Sequence, residues 1–148
     1  MATTLDAALS LPATALGVRA ARSAVDAAVR RLSRDDDLLS DVRLCVSEAV
    51  TNVVRHAYDQ RGDDAVEVTV EHERNEVTVT VRDRGRGLTA GRPSDTGGYG
   101  LEIIGELTTR HVIRTSPRDG TELAMVFELC RPTQVRSVAR VRRAAARA

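Results

Sequence analysis

"AVEVTVEHERNEVTVTVRD", residues 65–83, decides the architecture of this chain. Val66, Val68 and Val70 alternate with polar residues, and Val77, Val79 and Val81 do the same. A period of two is that of a strand with one face buried. The residues between the runs, "HERN", are a hairpin-sized connection, so the spacing predicts two antiparallel strands, each presenting one apolar face. That face has to be covered by elements elsewhere in the chain.

Upstream, Ala21, Val25, Ala28, Val29 and Leu32 recur at helical spacing within residues 14–33, after Pro12 at the entry. A second helix is expected from Asp36 or Asp37, whose carboxylates suit a helix N-terminus, to about Tyr58, where "DQRGDD" ends it. Residues 3–10 read as a short strand. Downstream, "DRGRGLTAGRPSDTGGYG" is a long glycine-rich loop whose length calls for a function. A third helix follows in "LEIIGELTTR", then a strand "HVIRTS", a turn "PRDG" and a last strand "TELAMVFELC". Helices over such strands make an α+β two-layer sandwich with a mixed, mainly antiparallel sheet.

At 148 residues the chain suits one domain, expected over 1–130 with a tail at 131–148, and one site. No apolar run approaches the roughly 18 residues of a membrane span. The N-terminus lacks a basic stretch before its apolar one, so the expected compartment is the cytoplasm. Cys45 and Cys130 read as buried free thiols rather than a disulfide or a metal pair. The net charge of +1 conceals a division: residues 131–148 carry six Arg and no acids, leaving 16 Arg against 21 acids before them, a net of −5. An Arg/Ala-rich end with little to bury reads as a solvated tail or a frayed helix, and a basic run alone offers nucleic acid only non-specific attraction, so no direct nucleic-acid partner is expected. The chain has no lysine, so any cationic contact to phosphate falls to Arg.

The second helix carries an unusual edge. With Glu48 set at zero, Asn52 lies at about 40° and His56 at about 80°, while Val42, Cys45, Val46, Ala49, Val53 and Ala57 fill roughly 60° to 180°. A carboxylate, a carboxamide and an imidazole thus line the rim of the buried layer, where a ligand can reach them; a polar boundary stripe with local contacts explains the helix equally well. Two glycine loops weigh in. Asp83 ends a strand and opens "DRGRG", in which Gly85 and Gly87 permit close backbone approach. "GGYGLEII" leads into a helix whose free N–H groups favour an anion. Each is weak alone; the three occur in one order within about sixty residues.

In this combination the sequence resembles the gyrase, histidine-kinase and MutL (GHKL) ATPase superfamily, and most closely its small RsbW-type anti-sigma-factor serine kinases, over most of residues 10–130. The N-box is matched by "EAVTNVVRHA", the first glycine box by "DRGRG", the second by "GGYGLEII" and a weaker third by "GTEL". The resemblance implies a Bergerat-type ATP site. Asn52 would coordinate Mg²⁺, Asp83 would bond the adenine amino group with Gly85 and Gly87 beneath the base, and Gly98 and Gly100, with Tyr99 and Leu101 between and after them, would surround the phosphates. Gly120 and Thr121 belong to the third box, and residues 88–97 would form a lid. The chemistry agrees: one carboxamide oxygen with phosphate oxygens and waters suffices for Mg²⁺, and an acceptor opposite the adenine amino group selects against guanine. Arg55 is placed to meet phosphate or cap the lid, or is a solvated surface residue. His56 reads first as a packing residue and is carried as a candidate nucleotide contact.

Glu48, one turn before Asn52, is in the resembling kinases the presumed general base. The resemblance therefore implies a serine/threonine kinase that phosphorylates a STAS-type anti-anti-sigma partner, alternatively sequesters a sigma factor, and forms a homodimer. A catalytically inactive ATP-binding partner-switching regulator is the alternative. A sensor histidine kinase would need a phospho-accepting His on a helical hairpin before the N-box, and a gyrase-like ATPase a further domain.

Overall fold

The structure is a computed structural model and describes residues 2–56, 64–85 and 99–130. Its elements run β1 (Thr4–Pro12), α1 (Ala15–Leu32), α2 (Asp36–His56), β2 (Ala65–Glu73), β3 (Glu76–Asp83), α3 (Gly100–Leu107), β4 (Arg110–Ser116) and β5 (Gly120–Glu128). The strands form one sheet in the order β1-β2-β3-β5-β4, and all four pairings are antiparallel. The antiparallel character expected for most of the sheet thus holds for every described pair. The helices cover one face, giving the two-layer α+β fold.

The valine alternation explains the packing. Val66, Val68, Val70, Val77, Val79 and Val81 are all buried, and β5 adds Leu123, Met125 and Phe127 in register with them. Above them α2 buries Leu38, Leu39, Val42, Cys45, Val46, Ala49, Val50 and Val53, a wide stripe that makes it the central helix, while α1 contributes Ala21, Val25, Ala28 and Val29. Each such side chain contributes about 1.5–3 kcal/mol of transfer free energy where it is large enough. Thr14 caps α1 by accepting from Gly17 N, and Asp35 caps α2 by accepting from Asp37 N and Leu38 N.

Three expectations need correction. The strands continue through "HERN": His72 pairs with Val77 and Glu73 with Glu76, leaving only Arg74 and Asn75 in the turn, with Arg74 in the left-handed region at φ 54°. Backbone pairing does not stop where the apolar alternation stops. The third helix ends at Leu107 rather than Arg110, because Thr108 turns its hydroxyl back onto Ile104 O and Thr109 N already bonds Val126 O on the sheet. Cys130 is exposed, not buried. The last strand stops at Glu128, and Asn75 takes the next two amides, its carbonyl accepting from Leu129 N and its side-chain oxygen from Cys130 N. The expected tail at 131–148 lies outside the described residues.

Candidate nucleotide site

Two clusters of candidate residues gather at one end of the sandwich, where β3 and α2 finish and α3 and β5 begin. The first is built on Asp83, the last residue of β3, held between Val66 on β2 and Thr121 on β5. Although a carboxylate, it is only 4% exposed. Its Oδ1 accepts from Gly85 N at 2.8 Å and from Thr121 N at 3.3 Å. Burial raises its pKa above the ordinary Asp value, and the two backbone hydrogen bonds oppose that rise without cancelling it. Among the described residues Oδ2 takes no hydrogen bond, so it is the oxygen left for a ligand's N–H.

Gly120 makes this geometry possible. Its φ of 81° lies in the left-handed region, and a methyl group added there would fall 2.1 Å from Asp83 O. The β4–β5 turn can therefore press directly against the backbone of the acid. Thr115, opposite Thr121 in the same hairpin, sets its hydroxyl 3.3 Å from the Thr121 hydroxyl. Gly120 belongs with Thr121 to the third glycine box read from the sequence, whereas Thr115 is not among the site residues singled out there. The signal for Thr115 was present in "TSPRDGTE", since a turn at 117–119 makes Ser116 face Gly120 and Thr115 face Thr121.

The second cluster joins α2 to α3. Glu48 and Asn52 are half-buried on the edge of α2, as the angular count expects, and they lie against the first residue of α3. A methyl group added at the buried Gly100 would sit 3.1 Å from Glu48 Oε2 and 3.4 Å from Asn52 Nδ2. The N–H groups of this first turn have no partner within the helix and carry the positive end of its dipole. Tyr99 stands at the N-cap without a side-chain capping bond, 53% exposed, and Leu101 is 39% exposed. Arg55 is exposed near the end of α2. Of the other candidates, Gly87, Gly98 and the lid at 88–97 lie outside the described residues, and His56 is described only as the last residue of α2.

No group of three or more His, Cys, Asp or Glu among the described residues could hold a metal ion. A carboxamide, a carboxylate and open backbone N–H groups on one side, with a buried acid between strand ends on the other, suit a ligand that joins an anionic chain to a base bearing an amino group.

The sequence of residues 11–127 matches the model of the histidine kinase-like ATPase domain. The chain belongs to the histidine kinase-like ATPase family. Similar proteins include the anti-sigma F factor of Pasteuria penetrans, 36% identical over 121 residues that span 74% of this chain and 81% of that protein. The anti-sigma F factor of Bacillus subtilis (strain 168) is 31% identical over 120 residues, 74% of this chain and 82% of the relative. Among solved structures, the histidine kinase domain from Erythrobacter litoralis EL346 blue-light activated histidine kinase superposes with a TM-score of 0.55 at 20% identity. The superposition covers 76% of this chain and 61% of that one, so the chain spans about three-fifths of its length, and it supports the fold alone. As a histidine kinase-like ATPase domain the chain has ATP as its expected ligand, with adenine and phosphates supplying the two chemistries the clusters suit. No helix among the described residues is long and apolar enough to cross a membrane.

Proposed function

We propose that this chain is an anti-sigma factor with ATP-dependent serine/threonine protein kinase activity, acting in the cytoplasm. In this reading it phosphorylates a STAS-type anti-anti-sigma protein and, in the alternative complex, sequesters a sigma factor. The similarity to proteins named anti-sigma F factor over most of both chains supports the regulatory half. The observation that carries the kinase half is the meeting of Glu48, Asn52 and the bare first turn of α3 at Gly100.

Asp83 Oδ2 accepts from the adenine amino group, while Gly85, donating its own N–H to Oδ1, keeps the acid in place. Gly87, Gly98, Tyr99, Leu101, Arg55, His56 and Thr121 complete the nucleotide set. The phosphates are drawn to the α3 N-terminus, where Gly100 admits them without a side chain. Magnesium fits as an ion carried by the nucleotide and held by the single Asn52 oxygen; when bound it shields the phosphate charge. Glu48 accepts the proton of the partner's serine or threonine hydroxyl as the hydroxyl oxygen bonds the γ-phosphorus and ADP departs. A homodimer is part of the same reading. Leu5 and Val112, 58% and 50% exposed, lie on the sheet face away from the helices and suit a second copy.

The test is titration of Mg·ATP into wild type and Glu48→Ala by calorimetry, followed by incubation of each with γ-labelled ATP and candidate STAS proteins. Binding by both, with label transferred by the wild type alone, is the expected result. Binding by both with no transfer to the cognate sigma-linked partner would replace the kinase with a nucleotide-gated binder.

A further inference from the structure

We propose that Gly100 is a positioning residue for Glu48: its missing side chain is the seat that fixes where the carboxylate stands. The inference deepens the kinase reading and rests on it for its catalytic consequence, but not for its geometry.

Glu48 is half-buried and, among the described residues, has neither a hydrogen bond nor an ion pair. Asp83, by contrast, is held through two backbone N–H groups. A glutamate side chain has three rotatable bonds, and with nothing bonding its tip only packing limits where the oxygens go. The packing surface is the first turn of α3. That surface is rigid, because Gly100 is itself buried and Ile104 and Leu107 anchor the same helix in the core.

With Oε2 3.1 Å from where a methyl on Gly100 would be, and Asn52 Nδ2 3.4 Å from the same point, one absent side chain sets the position of both polar groups on α2. Alanine at 100 is compatible with a helix and asks only a flexible carboxylate tip to give way by a few tenths of an ångström. The fold tolerates that displacement. A proton acceptor does not, because acceptance requires hydrogen-bond reach of the attacking hydroxyl, and a 1 Å error can cost about a hundredfold in rate. Gly100 therefore does something at this position besides leaving room for phosphate.

The experiment is a double-mutant cycle on the full chain, with Gly100→Ala made in wild type and in Glu48→Gln, each assayed for Mg·ATP affinity and for phosphoryl transfer to the STAS partner. Gly100→Ala alone is expected to lower transfer at saturating Mg·ATP by about tenfold or more, in excess of any loss of Mg·ATP affinity. In the Glu48→Gln background the same change should alter the residual rate by less than about twofold, since the group it displaces is no longer a base. Equal losses in both backgrounds, or a loss of affinity matching the loss of rate, would overturn the proposal in favour of a direct phosphate contact.

A second measurement stands apart from kinase activity. In the nucleotide-free protein, the Glu48 side-chain carboxyl carbon and the Asn52 side-chain amide are followed by NMR. Gly100→Ala should move both resonances, whereas Gly105→Ala, on the same helix, should move neither. A Glu48 carboxyl resonance indifferent to Gly100→Ala sinks the proposal whether or not the chain transfers phosphate; no transfer by wild type, with the resonance shifted, sinks only the kinase reading.

Discussion

Asp83 and Glu48 are both acids at the same end of the sandwich, and each lies against a glycine, yet they are held in opposite ways. Asp83 is nearly inaccessible, fixed by two backbone N–H groups and pressed by the backbone at Gly120. Glu48 is half-buried and, among the described residues, has no hydrogen bond; its Oε2 lies 3.1 Å and its Cβ 3.7 Å from where a methyl on Gly100 would be. A group that recognises a rigid planar base gains from being immobile, because any freedom it loses on binding is a cost to affinity. A group that accepts a proton from a second protein has to tolerate the approach of that protein. The difference between a backbone seat and a side-chain seat is thus the difference expected between recognition and chemistry.

The comparison breaks most visibly at Gly120. Alanine there would set a methyl 2.1 Å from Asp83 O at a φ of 81°, and no side-chain rotation relieves a collision with backbone. Gly120→Ala is expected to destabilise the fold by about 3 kcal/mol or more, read by denaturant unfolding. A loss under about 1 kcal/mol would mean the turn can shift and Asp83 is not rigidly seated. Next comes Asn52→Ala, which should lower Mg²⁺-dependent ATP affinity at least about a hundredfold, or about 2.7 kcal/mol, with unchanged unfolding. Unchanged ATP affinity in calorimetry would remove Asn52 from the site.

Asp83→Asn separates stability from binding. The Asn side-chain oxygen can still accept from Gly85 N and Thr121 N, but the charge is gone, and burial had raised the pKa of that acid. An acid with a raised folded-state pKa favours the folded chain below its unfolded pKa, and that contribution is lost as pH rises through the folded value. The nucleotide-free Asn variant should therefore be more stable than wild type at neutral pH, the two converging as pH falls through the carboxylate range. ATP affinity should move the other way, weakening by about 1–3 kcal/mol in the variant. In wild type it should fall as acid protonates Asp83, sooner than for an ordinary carboxylate. Equal pH profiles for the two proteins would show that Asp83 does not titrate where its burial requires.

Much of this was legible in the sequence because it is local. Val66 to Val81 encode their own faces, α2 shows its buried stripe by angle alone, and Asp83 ends its strand at the first glycine. The boxes that carry the resemblance hold residues that the fold gathers at one end of the sandwich. What the sequence did not disclose is long-range and backbone-mediated. Gly100 meets Glu48 only because α3 packs on α2 across some fifty residues of chain, and Gly120 meets Asp83 only because β5 lies beside β3. The exposure of Cys130 depends in the same way on Asn75, 55 residues away, taking its amide. Residue type cannot report which distant backbone will occupy the space beside it.

Gly105 gives the smallest effect and the control for both seats. It sits inside α3 without the left-handed φ of Gly120, and a methyl there would lie 3.5 Å from His111 Cε1, an ordinary contact. Nothing in its surroundings requires glycine, and glycine in a helix interior costs about 0.5–1 kcal/mol relative to alanine through the freedom of the unfolded chain. Gly105→Ala should therefore stabilise the fold by about that amount in denaturant unfolding and leave ATP binding unchanged. Three glycines changed to alanine would then give three distinct results: a broken turn at 120, a displaced carboxylate at 100 and a firmer helix at 105. If Gly105→Ala instead lowered ATP affinity, α3 would be transmitting strain along its length, and the loss at Gly100→Ala could no longer be assigned to the Glu48 contact.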